Sequence, residues 1–268
     1  MKDLLRSLAP VSDEAWKEIE EEATETLKTT LAGRKLVDFT GPLGWDVSSV
    51  DTGDTKKLKK TPQAGVEAQL RQPKPLVEFR IPFSLSREEL LKIGRGARDA
   101  DLDPVREAAF TIALAEDKAV FHGFGDGQVT GICEAAADRA LTITEKYEDY
   151  PGVVAQAVSE LHGAGVAGPY AIALGPKCYT GLTRTAQGGY PVIEHVRRIL
   201  DGPIVPARGL DGACVISLRG GDFEIVVGRD FSIGYTHHDA KSVELYLEES
   251  FTFLPLGPEA AVPLRYKM

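Results

Sequence analysis

The sequence predicts an α+β fold, and three observations carry that prediction. Apolar residues recur at helical spacing near the start and in the middle of the chain. Elsewhere they alternate with polar residues, as in strands with one buried face. The two patterns are mixed without the regular strand–helix rhythm of a parallel sheet. With 268 residues, 43% of them hydrophobic, the chain can bury a sizeable core, as one large domain or two modest ones.

Taken in order, Ser12 is placed to cap a first helix, Asp13 and Glu14 suit its dipole, and Trp16, Ile19, Ala23, Leu27 and Leu31 form one stripe ending near Gly33. The other face, Glu18, Glu20 to Glu22 and Glu25, reads as solvated surface. Thr52-Gly53-Asp54 and Thr61-Pro62 then break the chain around a basic run, Lys56 to Lys60. From Leu76 to Leu85, Phe79, Ile81, Phe83 and Leu85 face one way and Glu78, Arg80, Pro82 and Ser84 the other, which predicts a long β-arm. A two-stranded ribbon is marginal in water, so the arm's apolar face should lie on another subunit. Pro82 lacks a ladder donor and suits an edge.

Asp103-Pro104 starts a second long helix that Val105, Ala108, Ala109, Ile112, Ala113, Ala119 and Val120 carry to Gly123. A helix over 151–162, a strand over 170–174, a helix from Pro191 and a strand over 213–218 follow. Phe223, Ile225 and Val227 predict a strand entered through Gly220-Gly221 and left through Gly228, and a second extended piece runs from Asp230 to Tyr235. The last long strand spans 243–253.

Composition and motifs exclude more than they assign. The net charge of -9 argues against general nucleic-acid binding. No apolar run has the length of a membrane span and the start lacks a signal-peptide core, so a cytoplasmic protein is expected. Cys133, Cys178 and Cys214 are far apart and read as buried thiols. His237-His238-Asp239 alternates across a strand and is poorly arranged for a metal, and Gly123 to Gly127 lacks the strand-to-helix context and the Lys-Ser/Thr pair of a phosphate loop. No nucleophile–base motif is present, so no catalytic residue, metal or cofactor is assigned.

Blocks along nearly the whole chain, among them GRKLVDFTGPLGW, EDKAVFHG, AGVAGPYAIALGP, GYPVIEHV, RGGDFEIVVGRDFSIGY and ESFTF, resemble the encapsulins, shell proteins built on the HK97-like fold of tailed-phage capsids. The resemblance implies a division into an N-terminal helix and start of a peripheral domain (1–45), an extended loop (46–87), a spine-helix segment (88–132), an apical domain (133–219) and the rest of the peripheral domain (220–268). It implies a self-assembling icosahedral shell of the smallest, T=1, kind. That shell would enclose a cargo enzyme, a dye-decolorising peroxidase or a ferritin-like protein, through a short terminal peptide. A hydrolase, protease or bacteriocin activity, sometimes ascribed to the family, is the alternative.

The resemblance also places sites. Arg34 and Asp38 match an interior groove, with Leu27, Phe231 and Ile233 as its apolar floor and Asp38 attracting the basic end of the cargo tail; a pairing of Arg34 with Asp38 is the competing reading. The five-fold pore loop matches Thr183 to Tyr190, with Arg184, Gln187, Gly188, Gly189 and Tyr190 at its tip. Some relatives stack a flavin on an arm tryptophan; Glu88 stands at that position and Tyr190 at a second stacking position, so no flavin is expected here.

Overall fold

The computed structural model describes residues 3–267. Its first helix, α1, spans Asp13–Thr30, with the Ser12 hydroxyl accepting from the Ala15 N–H at 3.2 Å. The predicted stripe is its buried face, and it packs along the spine helix, Asp103–His122. Pro104 sits in the first turn of the spine helix and Gly123, at φ +89°, lies just beyond its end.

A five-stranded sheet lies against these helices. Its axis is the 14-residue strand Ser242–Pro255. Along one edge run two strands in succession, Phe223–Val227 and Ser232–His238, both antiparallel to it, and Asp38–Thr40 lies parallel to the first of them. Gly228 marks the jog between the two because a Cβ there would stand 2.7 Å from both Leu76 Cδ2 and Ser250 Oγ.

The opposite edge of the long strand pairs with Val77–Ser86, from Ser242 opposite Ser86 to Phe251 opposite Val77. This corrects the arm expected over 46–87. Residues 77–86 of it belong to the subunit's own sheet, where Phe83 and Leu85 are buried in the apolar cluster that the first helix and the spine helix share. Residue alternation shows that one face is covered but not by what. Pro82 does lie in an edge strand. The arm that remains is two short ribbons, Ser49–Val50 with Lys74–Pro75 and Thr55–Lys57 with Gln69–Arg71; no residue between Gly41 and Leu76 is buried.

The second sheet has the order Ile204–Pro206, Tyr170–Leu174, Ala213–Ser217, Ala261–Tyr266, Leu141–Ile143. Helices Tyr150–Gly163, Pro176–Arg184 and Val192–Ile199 pack around it. Its fourth strand comes from the end of the chain, so the sequence-based segment 220–268 contributes to both sheets. Two apolar clusters result. The spine helix and the long central strand run through both: Ile112 and Leu245 lie in one, Val120 and Phe253 in the other.

Candidate functional site

The first helix stops at Thr30, and the chain turns through Gly33–Lys35 against the spine helix. The Asp117 carboxylate holds this turn, accepting from the N–H of Ala32 at 3.0 Å and of Gly33 at 2.8 Å. Burial pushes the Asp117 carboxyl up to about 7, against the lowering effect of those two donors.

The turn aims Arg34 inward. Its Nε and Nη2 donate to Glu116 at 2.9 and 2.6 Å, Nη1 to Asp230 at 2.7 Å and Nη2 to Glu249 at 3.2 Å. The arginine side chain is 16% exposed, and Glu116 and Glu249 are fully covered. Burial works against the guanidinium charge, but hydrogen bonding to Glu116 and the charges of Glu116, Asp230 and Glu249 outweigh it, so the group is held protonated. Burial also drives the Glu249 carboxyl well above its ordinary value, and the neighbouring Glu116 charge adds to that. The guanidinium carbon stands 4.6 Å from the centre of the Phe231 ring and 5.0 Å from that of Phe39.

Phe231 is the ridge of a two-lobed groove between the first helix and the segment 230–233. One lobe, about 280 Å³, is bounded by Leu4, Glu20, Ala23, Leu27 and Ile233; the other, about 390 Å³, by Lys28, Leu31, Arg34, Lys35 and Asp230. Thr24, Leu27 and Phe231 line both.

The structure therefore brings together four of the five residues placed in the groove. Asp38 is not among them. It opens a strand, its carboxylate accepts from the Gly221 N–H at 2.5 Å, and it borders a separate depression with Lys35 and Phe223. Arg34 and Asp38 neither share a helix face nor pair with each other, because the helix has ended before either. The sequence reading missed Thr24, Lys28, Glu116 and Glu249. Thr24, Leu27, Lys28 and Leu31 stand at the i, i+3, i+4, i+7 spacing of one helix face, a signal that could have found the first two.

Gln187, Gly188, Gly189 and Tyr190, placed at the pore, share one tip, and Arg184 lies before it. Ala186–Gln187 pairs with Tyr190–Pro191 across Gly188 and Gly189, whose φ angles of +60° and +86° fit a tight two-residue hairpin. Tyr190 is 60% exposed, and Arg184 ends the preceding helix with no carboxylate partner among the described residues. Glu88 lies in the first turn of the helix Arg87–Gly94 rather than in the arm. All three cysteines are buried and unpaired, as expected.

Residues 1–252 match a family model described as "Encapsulating protein for peroxidase". A type 1 encapsulin shell protein of Rhodospirillum rubrum is 58% identical over 271 residues, covering 99% of this chain and 97% of that protein. The chain belongs to the encapsulin family. A type 1 encapsulin shell protein of Mycobacterium tuberculosis is 45% identical over 266 residues, with 99% and 100% covered. The encapsulin fold recurs in a virus-like particle from Pyrococcus furiosus, at a TM-score of 0.62 and 19% identity over 92% of this chain and 97% of that one. It recurs again in a chain of Gordonia phage Cozz, at 0.58 and 14% over 89% and 87%. The fold is thus that of the phage capsids. This encapsulin is a shell-forming protein and not an enzyme, and the hydrolase alternative is not favoured.

Proposed function

We propose that this encapsulin assembles into the smallest icosahedral shell, in the cytoplasm, and captures a cargo enzyme by seating the cargo's terminal peptide in the groove between the first helix and residues 230–233. The observation that carries the reading is the groove itself: two adjoining lobes that the subunit leaves open, floored by Leu27, Phe231 and Ile233 and suited to the small apolar side chains of an extended peptide. Lys28, Lys35, Arg34 and Asp230 border one lobe, while Arg6 and Glu20, paired with each other at 2.5 Å, border the other. Asp38 lies outside both lobes and is given no part in holding the tail. The wording of the matched family model favours a peroxidase as cargo over a ferritin-like protein.

The test is to co-express the shell with a reporter carrying or lacking the terminal peptide of a peroxidase, and to identify native cargo by mass spectrometry of purified particles. Shells should fill only with the tagged reporter, and Thr24→Trp, which puts a bulky side chain into both lobes from an exposed position, should empty them without preventing assembly. Equal filling by the untagged reporter would remove the groove from cargo selection.

A further inference from the structure

The Arg34 cluster is more elaborate than an ion pair needs to be. Three carboxylates converge on one guanidinium, two of them fully covered, and each of its three nitrogens donates to at least one of them. Of its three partners Glu116 is bidentate, Asp230 holds the other side of the fork, and Glu249 touches only Nη2. A planar cation fixed on two sides in this way has a defined face, and that face lies on Phe231, the residue shared by both lobes of the groove.

We propose that Glu116 and Asp230 are positioning residues for cargo capture: they clamp Arg34 against the Phe231 ring and so hold the ridge of the groove in the shape that receives the peptide. This rests on the groove reading above and gives Arg34 a role different from contact with the tail. Glu249 completes the set as a neutral acid. Its Oε1 is buried with no partner, its Oε2 has only the donor that Glu116 also uses, and one cation cannot balance three buried or half-buried anions.

The experiment measures binding of a fluorescently labelled cargo-tail peptide to assembled shells. Glu116→Gln and Asp230→Asn should each weaken binding by about two- to thirtyfold, the span of a cation–ring contact from exposed to desolvated. Glu249→Gln, which mimics a protonated acid, should bind as the native shell does. Phe231→Leu keeps an apolar ridge but removes the ring, so adding Glu116→Gln to it should cost nothing further. Asp230 is 41% exposed, so Asp230→Asn tests the clamp even if Glu116→Gln fails to fold.

Thr24→Trp, a bulky side chain at an exposed position that lines both lobes, separates the two levels. If it still binds the peptide, the groove reading fails. If it loses the peptide while Glu116→Gln and Asp230→Asn bind normally, the groove stands and the clamp is overturned. Additive losses in the Phe231→Leu, Glu116→Gln double variant overturn the route through the ring, and a Glu249→Gln shell as weak as Glu116→Gln overturns the neutral acid.

Discussion

Two neighbouring stretches of this chain end in opposite circumstances. Val77–Ser86 finds its partner strand about 160 residues later, and its Phe83 and Leu85 vanish into the subunit's own core. The ribbon of Thr55–Lys57 and Gln69–Arg71 finds only itself, leaving Leu58, Val66 and Leu70 at 40%, 54% and 53% exposed. One stretch completes its burial within the molecule. The other can complete it only between molecules, and a shell subunit needs both kinds.

The sharpest test is a paired substitution. Phe83→Asp would bury a carboxylate where an 8%-exposed ring now packs, consuming a large part of the ~5–15 kcal/mol by which a domain is stable, so little folded subunit is expected by circular dichroism of the soluble fraction. Leu70→Asp should change subunit melting by less than about 0.5 kcal/mol yet stop shells from forming, as seen by size exclusion and negative stain. Normal shells from Leu70→Asp, or a well-folded Phe83→Asp subunit, would break the distinction.

The pH dependence of stability should follow the same division. Asp117 is buried and its carboxyl is raised from 3.8 to about 7, so folding favours its protonated form. Its contribution is full below pH 3.8 and is lost as pH climbs through 7, a span worth on the order of 4 kcal/mol before neighbours respond. The melting temperature should fall from pH 5 to pH 8, and Asp117→Asn should flatten that slope.

The smallest effect concerns the hairpin at Gly188-Gly189, a second piece of chain left without cover by its own subunit. If it rims a pore, Arg184→Glu should alter the entry of iron or peroxide into intact shells while leaving assembly and melting unchanged. Identical entry rates would detach Arg184 from the route.

The sequence exposed what is amphipathic and hid what is not. The first helix and the spine helix were legible because Trp16, Ile19 and Ala23, and then Val105 through Val120, repeat at helical spacing. The helix Pro176–Arg184 was missed because it buries only Cys178 and Leu182. The strand Ala261–Tyr266 was missed because four consecutive buried residues, one of them Pro263, erase any alternation. In the groove, Leu27, Phe231 and Ile233 were found as apolar positions. Glu116, Asp117 and Glu249 were not, because a carboxylate in a sequence reads as a solvent face, and only the three-dimensional structure brings Arg34 and two backbone amides to meet them.

The placing of Ala261–Tyr266 between Ala213–Ser217 and Leu141–Ile143 has a consequence for the order of events in the cell. A ribosome makes Leu141–Ile143 and then Tyr170–Leu174 to Ala213–Ser217 before the strand that joins them, so until Ala261–Tyr266 emerges the second sheet is two separate pieces. A subunit lacking Ala261–Tyr266 lacks the strand that ties its sheet together.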